Sequence, residues 1–248
     1  MYLFIKKLFH KLYYKVYEGK VTTFSGLEKL SGYKWILGSS IGRAYHKGYY
    51  EPNVTKLFLK YLKQDTVFID IGAHVGYYSL LSAASAPLGH VYSFEPFYEN
   101  YIYCNRIKEL NTVSNWTIEQ KAVGDRNGIL YFNEGPTSTT GKVSYTEGNR
   151  VEAISIDNYL KEKSIKKIDL IKIDVEGFGG NVLRGAINTI KIYKPIIIME
   201  FHSNSDEKEV FGELLSDDYN IYNLDKDAPI KLDEDNTLFV YAVPKENA

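Results

Sequence analysis

From residue 66 onward, the chain alternates short apolar, β-branched runs with longer segments of helical periodicity. The runs over residues 66–71 and 168–174 are the strongest, and each is followed by a turn that contains glycine. Runs of this kind are typical of strands buried on both faces of a parallel sheet. Strands that alternate with helices therefore predict an α/β fold with helices on both sides of the sheet.

The other predicted elements continue the same alternation. We predict further strands over residues 90–94, 116–123, 129–132, 142–145, 196–201, 219–223 and 237–243. We predict helices over residues 54–62, 75–86, 97–110, 156–161, 181–193 and 207–216. No repeat or low-complexity tract interrupts this pattern, so residues 51–248 are predicted to form one domain.

The composition is that of an ordinary globular protein, with 44% apolar and 25% charged residues. The 30 basic residues balance 31 acidic ones, so the whole chain has no field that would recruit nucleic acid. A single cysteine, Cys104, cannot form an internal disulfide and lies in a predicted helix, where a buried apolar role is expected. These features predict a cytoplasmic protein without a nucleic-acid partner.

Residues 1–50 are predicted to be a helical and irregular N-terminal extension. Residues 1–20 contain five lysines and one glutamate, a net charge of +4, and Leu8, Leu12 and Val16 share one face of an amphipathic helix. The stretch is interrupted by lysines, whereas a membrane-spanning helix needs about 20 apolar residues. It suits peripheral contact with the inner membrane surface or packing across the open side of the domain, and both alternatives stay open.

Polar residues follow four of the predicted strands. They lie at residues 70–76, at Glu95, at residues 174–177 and at residues 200–202. In open α/β sheets, ligands bind beyond the carboxyl ends of the strands, near the point where the strand order reverses. Four separate segments that converge on one edge of the sheet therefore predict a ligand site there.

The loop over residues 70–76 has features that suit an amino-acid group. Gly72 permits a tight turn and a close approach of ligand to backbone, and the helix that follows begins with free N–H groups that favour a carboxylate. Asp70 supplies an acceptor for an ammonium group. A carboxylate and an ammonium together match the amino-acid end of S-adenosylmethionine (SAM), although a glycine turn alone also fits a simple strand-to-helix connection.

Glu95, at the end of the second predicted strand, suits the hydroxyls of a ribose. That role is common to nicotinamide-binding and SAM-binding proteins. The nicotinamide pattern G-x-G-x-x-G is absent, because His74 stands where its second glycine would be. We therefore favour SAM and keep a nicotinamide-dependent oxidoreductase as the alternative.

Five segments together resemble the FkbM-type family of methyltransferases. They are VFIDIGAHVGYYSLLSA, VYSFEPFYENYIYCN, AVGDRNG, IDLIKIDVEGFGGNVLRGA and PIIIMEF, and the resemblance covers roughly residues 48–201. It implies a class I methyltransferase (Rossmann-like) fold, mostly parallel and seven-stranded, with an antiparallel last strand. It also implies SAM-dependent O-methylation of a hydroxyl on a sugar, a glycan or a related small molecule.

The resemblance also implies roles for individual residues. Glu95 would hold the ribose with Asn100 nearby, and Glu51 would close over the cofactor. The residues implied around the methionine half of SAM are Asp70, Gly72, His74, Gly76, Tyr77 and Ser79. Those implied at the adenine are Ala122, Val123 and Asp125. One position departs from the family pattern, because Gly179 stands where the family's Glu-Gly-x-Glu has its second glutamate.

Candidate catalytic residues are Asp174, Glu176 and His202, with Glu200 beside them. A hydroxyl acceptor benefits from losing its proton as the new bond forms. We predict that Asp174 or His202 is the general base and that Glu176 orients the acceptor. The same side chains could hold a divalent cation such as Mg²⁺, but two carboxylates two residues apart are weak support, so no metal is predicted.

A third hypothesis, suggested only by the basic N-terminal stretch, is a membrane-associated binding module without catalysis. If the protein is an enzyme, its small-molecule or glycan acceptor is expected against residues 21–50 and 133–150. These segments have the least regular pattern, and specificity tends to reside in loops.

Overall fold

The computed structural model describes residues 19–38, 43–133, 141–202, 206–232 and 239–247. The predicted amphipathic helix at the N-terminus lies outside these residues. Within them, no helix is long and apolar enough to cross a membrane.

A large sheet forms the centre of the molecule. Its eight strands are β3 (Val67–Ile71), β4 (His90–Phe94), β5 (Trp116–Glu119), β10 (Leu170–Ile173), β11 (Ile196–Glu200), β12 (Tyr219–Asn223), β13 (Ala228–Pro229) and β14 (Phe239–Pro244). Their spatial order is β13-β12-β14-β11-β10-β3-β4-β5. The central strands have the sequences VFIDI, LIKI and IIIME, whose β-branched side chains pack well on a sheet covered on both faces.

The topology agrees with the fold class that the resemblance implies. Strands β5, β4, β3, β10 and β11 are parallel, and the last strand, β14, runs antiparallel to β11. The structure adds one short edge strand, β13, to the seven that were expected. From β3 the chain proceeds outward to β4 and β5 and then returns to β10 on the other side, so the strand order reverses between β3 and β10.

Helices cover both faces of this sheet. Buried side chains on one face come from α2 (Pro52–Tyr61), α3 (Tyr77–Ser85) and α4 (Tyr98–Leu110). Those on the other face come from α5 (Ile156–Lys163), α6 (Gly179–Arg184), α7 (Ile187–Tyr193) and α8 (Glu207–Leu215). The three-layer arrangement that the sequence predicts is thus present.

A second sheet of four strands packs beside the first. It consists of β6 (Ala122–Val123), β7 (Gly128–Asn133), β8 (Lys142–Ser144) and β9 (Asn149–Ile154), in the order β6-β9-β7-β8. Two predictions were wrong here. Residues 116–123 form two strands in different sheets instead of one, and β9 occupies residues for which no element was predicted.

The helix predicted over residues 181–193 is also divided in two. Gly185 lies at the break, and a Cβ there would collide with the backbone oxygen of Gly124. The Gly185 carbonyl accepts a hydrogen bond from the Asp157 N–H instead of continuing a helix. Tertiary contacts therefore end α6 at a point that helical periodicity does not reveal.

The described part of the predicted extension is built into the core. It contains the hairpin β1 (Val21–Thr23) with β2 (Lys34–Ile36), a 3₁₀ turn at Glu28–Leu30, and α1 (Arg43–Lys47). Phe24, Leu30 and Trp35 are buried in the same core as α2 and α3. Their packing fixes the segment that leads to Glu51.

Candidate active site

A cavity opens at the carboxyl ends of β3 and β10, where the strand order reverses. The residues that line it are Tyr50, Glu51, Gly72, His74, Glu95, Pro96, Asn100, Phe132, Gly141, Val143, Asp174, Val175, Glu176 and Glu200. All four groups of polar residues that follow predicted strands contribute to this lining. The convergence expected from the sequence is therefore present.

Close backbone contact joins two of the loops around the cavity. Gly72 has φ +81°, and a Cβ on it would collide with the backbone oxygen of Asp174. Gly76, with φ +77°, precedes α3, and a Cβ there would lie 2.7 Å from the Trp116 ring. Both glycines are needed for space as well as for their left-handed conformation.

Three cavity residues other than glycine also have left-handed backbone conformations. These are Glu51 with φ 38°, His74 with φ 50° and Glu176 with φ 47°. Such conformations are uncommon for residues with a Cβ and persist only where the surroundings enforce them. Their clustering around one cavity is typical of a functional site.

Asp70 lies beneath the loop instead of in the cavity lining. Its Oδ2 accepts a hydrogen bond of 2.5 Å from Ser79 Oγ, which lies 2.6 Å from Ser93 Oγ. Trp116 Nε1 donates to Ser93 Oγ at 2.6 Å. Burial raises the pKa of Asp70 to about 6. This geometry makes Asp70 and Ser79 supports of the loop, which differs from the direct ligand contact that the sequence suggested.

Glu95 lies in the cavity lining and is almost fully buried. Its Oε2 accepts the His74 N–H at 2.7 Å, and its Oε1 accepts the Phe97 N–H at 2.9 Å. Burial raises the pKa of Glu95 to about 7, although these two N–H groups favour the carboxylate. Burial also lowers the pKa of His74 to about 4, so its imidazole is neutral at pH 7.

Lys172 is a charged residue of the site that the sequence analysis did not select. It is buried in β10, and its Nζ lies 2.7 Å from Asp174 Oδ2 and 5.1 Å from the centre of the Tyr78 ring. Burial disfavours both charges, but each residue stabilises the charged form of the other. The pKa of Lys172 is therefore raised and that of Asp174 is lowered. A lysine in the middle of the apolar run Leu-Ile-Lys-Ile was the available signal.

Glu200 is the last residue of β11, His202 follows that strand, and both lie near Asp174. One carboxylate oxygen or imidazole nitrogen from each of these three residues lies within 4.8 Å of the others, a spacing at which they could bind a cation together. Burial, with a further contribution from Asp174, raises the pKa of Glu200 to about 7. Burial lowers the pKa of His202, but Glu207, Glu200 and Glu176 outweigh it and the net shift is upward.

The remaining predicted residues occupy different positions. Asn100 and Glu51 line the cavity, and Tyr78 Oη donates to Glu51 Oε2 at 2.8 Å. The other predicted residues are not among the described residues that line the cavity: Gly76, Tyr77, Ala122, Val123, Asp125 and His202. Asp125 accepts a hydrogen bond from Tyr145 Oη at 2.9 Å.

Comparison with known sequences identifies the family. The model of the family described as "Methyltransferase FkbM domain" matches residues 70–221, more than half of the chain. The chain belongs to the FkbM methyltransferase family. It is therefore a methyltransferase, and its methyl donor is SAM. This result agrees with the missing nicotinamide pattern and gives no support to the oxidoreductase alternative.

The individual relatives have limited sequence identity to this chain. The hexuronic acid methyltransferase AglP of Haloferax volcanii is 29% identical over 172 residues, which cover 67% of this chain and 68% of that protein. Methyltransferase 1 of Beauveria bassiana is 24% identical over 145 residues, covering 49% of this chain and 58% of that protein. The crystal structure of an FkbM methyltransferase from Methylobacillus flagellatus aligns with a TM-score of 0.49 and 15% identity, covering 81% of this chain and 55% of that one.

Proposed function

We propose that the protein transfers the methyl group of SAM to a hydroxyl oxygen of a sugar or glycan. The observation that carries the proposal is that one cavity is lined by two chemically different groups of residues. Gly72, His74 and Glu95 form the first group, and Asp174, Glu176 and Glu200 form the second. The name of the Haloferax relative, a hexuronic acid methyltransferase, supports a sugar as the acceptor.

The first group suits the cofactor. Glu95 keeps its carboxyl group in the cavity lining and would accept hydrogen bonds from the ribose hydroxyls, with Asn100 beside it. The turn from Gly72 to Gly76 would bring backbone to the amino-acid end, supported from below by Asp70 and Ser79. The neutral imidazole of His74 adds no positive charge near the cationic sulfonium. Ala122, Val123 and Asp125 remain the proposed adenine end.

The second group suits a hydroxyl acceptor. In the reaction, the acceptor oxygen forms a bond to the methyl carbon, the carbon–sulfur bond breaks, and S-adenosylhomocysteine leaves. The hydroxyl proton must go to a base, and an effective base has a pKa near the working pH. Glu200 is the base that we favour, because it lines the cavity and its pKa is about 7.

The two bases predicted from the sequence have weaker support. Asp174 is paired with Lys172, which lowers its pKa and makes it a poorer proton acceptor. The raised pKa of His202 keeps more of its imidazole protonated, and His202 is not among the described residues that line the cavity. Glu176 remains the residue proposed to orient the acceptor.

We propose that the reaction does not require a metal ion. Asp174, Glu200 and His202 could hold a hard cation, but the Lys172 ammonium already lies 2.7 Å from one Asp174 oxygen. A second cation there would be repelled by this buried charge. Activity that survives extensive dialysis against EDTA would support the proposal, and activity restored only by Mg²⁺ would contradict it.

Methyl transfer from labelled SAM tests the proposed function directly. The panel should contain neutral monosaccharides, uronic acids, nucleotide sugars, oligosaccharides and lipid-linked glycans. We expect label on an acceptor oxygen, micromolar binding of SAM by calorimetry, and no comparable binding of NAD. Transfer to nitrogen or carbon, or no label on any carbohydrate while SAM binds, would reject the acceptor class.

A further inference from the structure

Two adjacent glycines at the start of α6 face two adjacent acidic residues at the start of α8. A Cβ on Gly180 would collide with Asp206 Oδ1, and a Cβ on Gly179 would lie 2.8 Å from Glu207 Oε1. A separation under 3.0 Å from a Cβ is essentially never observed. A Cβ on Gly179 would also lie 2.3 Å from Met199 Cε, so a side chain at position 179 requires both Met199 and the Glu207 carboxylate to move.

Glu207 occupies this space fully buried and forms specific contacts there. Its exposed fraction is 0%. Oε1 accepts the Gly179 N–H at 2.8 Å, and Oε2 accepts the His202 N–H at 2.6 Å. Oε2 also lies 3.5 Å from His202 Nδ1. Hydrogen bonds from N–H groups to a buried carboxylate are among the strong ones in proteins.

These contacts join two segments that are separated in the sequence. Gly179 ends the turn that carries Asp174 and Glu176 after β10, and His202 follows β11 just beyond Glu200. On its other side, His202 Nε2 lies 3.6 Å from Glu176 Oε2. One carboxylate therefore fixes the spacing between the acidic turn and the imidazole.

We propose that Glu207 replaces the second glutamate of the family's Glu-Gly-x-Glu pattern, delivered from α8 instead of from position 179. Glu207 is a positioning residue that holds His202 and the turn after β10 in register on the acceptor side. The proposal rests on the proposed function for its effect on catalysis.

A swap of the glutamate between the two positions tests the proposal. The proteins to compare are the wild type, Glu207→Ala, Gly179→Glu and the double variant Glu207→Ala/Gly179→Glu. Glu209→Ala is the matched control, since Glu209 lies exposed on the same helix. Readouts are kcat and KM with the acceptor, and Kd for SAM.

We expect Glu207→Ala to lower kcat/KM by about 100-fold, because small misplacements near a reacting centre have effects of this size. Gly179→Glu alone should also be impaired, since two glutamates compete for one space. The double variant should recover at least about tenfold of the activity that Glu207→Ala loses. SAM affinity should change less than about threefold in every variant. A double variant no more active than Glu207→Ala would overturn the proposal.

An NMR titration of the His202 imidazole separates positioning from loss of folding. Because the Glu207 carboxylate raises the pKa of His202, Glu207→Ala and Glu207→Gln should both lower it, and Glu209→Ala should not. Glu207→Gln keeps one oxygen acceptor and serves if the alanine variant does not fold. If the wild type transfers no methyl group, the proposed function fails, and the titration still decides whether Glu207 positions His202.

Discussion

Glu95 is a buried carboxyl group whose pKa is about 7 in the ligand-free protein. Ribose hydroxyls that donate to it would stabilise the carboxylate and lower that pKa, so SAM binding should release a proton. We expect SAM to bind about fivefold or more tightly at pH 7.5 than at pH 6. Calorimetry in buffers of different ionisation enthalpy would measure both the affinity and the released proton.

Two variants control this prediction. Glu95→Gln should weaken SAM binding and remove the proton release, because the amide does not titrate. Glu99→Gln changes an exposed glutamate at the start of α4 and should leave both unchanged. A Glu95→Gln protein with unaltered affinity would show that the ribose does not contact this side chain.

Lys172 forms an ion pair inside the site, and its loss should affect stability and catalysis together. In Lys172→Met the Asp174 carboxylate would lose its cation, and breaking such a buried pair costs about 3 kcal/mol. We expect the free energy of unfolding to fall by about that amount. We expect the methyl transfer rate to fall as well, because the pKa of Asp174 would rise and its charge contributes to the pKa of Glu200, the proposed base.

A surface lysine provides the comparison. Lys167 lies 2.6 Å from Asp65 Oδ2 in an exposed pair, so Lys167→Met should cost at most about 1 kcal/mol. Urea denaturation and methyl transfer assays of both variants would measure the difference. Equal losses in the two would contradict a special role for Lys172.

At the scale of elements, contact between the loops after β3 and β10 should depend on Gly72. An alanine there would have φ +81° and would push its Cβ into the Asp174 backbone. Gly32 has a similar φ of +84°, with open space where a Cβ would be. We expect Gly72→Ala to be less stable than Gly32→Ala by at least about 2 kcal/mol, because backbone atoms must shift to relieve the collision.

SAM binding should separate these two variants as well. Gly72→Ala is expected to lose measurable binding, and Gly32→Ala to keep it, since only Gly72 lines the cavity. Thermal denaturation with calorimetry gives both quantities. A Gly72→Ala protein that binds SAM normally would show that the two loops move without consequence for the site.

Elements with a strong local pattern were predicted closely, and those set by distant partners were not. The pattern VFIDI predicted β3, and the run IIIME predicted β11, because buried strands need continuous β-branched residues. Residues 116–123 were predicted as one strand. β5 pairs with β4 and β6 pairs with β9, so the chain must change sheets between them. Periodicity along the chain contains no information about which strand becomes the neighbour.

For the whole molecule, burial of several acidic groups should make stability depend on pH in an unusual direction. Burial raises the pKa of Asp70 to about 6 and those of Glu95 and Glu200 to about 7. A carboxyl with a raised pKa binds more protons in the folded chain than in the unfolded chain. Its contribution to the free energy of unfolding is present at low pH and is lost as the pH rises through the pKa of the folded protein.

The two histidines of the site modify this dependence. His74 has a lowered pKa of about 4, so its contribution to stability increases from about pH 4 to pH 6.5. This pH dependence is opposite in sign to that of the carboxyls. His202 has a raised pKa and acts in the same direction as the carboxyls. Three carboxyls outweigh one imidazole, so stability should fall as the pH rises from about 5 to 7.

Thermal unfolding of the ligand-free protein checks this expectation. The melting temperature should be lower at pH 7.5 than at pH 5.5 by at least about 3 °C, and Glu95→Gln should reduce the difference. Saturating S-adenosylhomocysteine should also reduce it, because binding would favour the Glu95 carboxylate. A melting temperature that increases over this interval would contradict the burial of these groups in the native state.

The candidate site was partly predictable from the sequence. Glu95 and Asp174 directly follow strong strands and Glu200 ends one, so their position at one edge of the sheet follows from topology alone. Lys172 lies within a strand, and Glu207 lies on a helix far along the chain, so neither has a local pattern that marks it. Asp70 was expected to touch the ligand, but it is buried beneath the loop and accepts a hydrogen bond from Ser79 Oγ, a contact between distant residues that no local pattern reveals.

The sequence by itself determined the fold class, the family and the edge of the sheet where we propose that the cofactor binds. It could do so because β-branched runs, glycine turns and strand-end carboxylates are local features that physical chemistry restricts to few structures. Only the tertiary structure decided which charges meet. The pairing of Lys172 with Asp174, and the placement of Glu207 in the space left by Gly179, depend on packing between segments distant in the chain. Such packing is set by the energy of the whole molecule and not by any one stretch of residues.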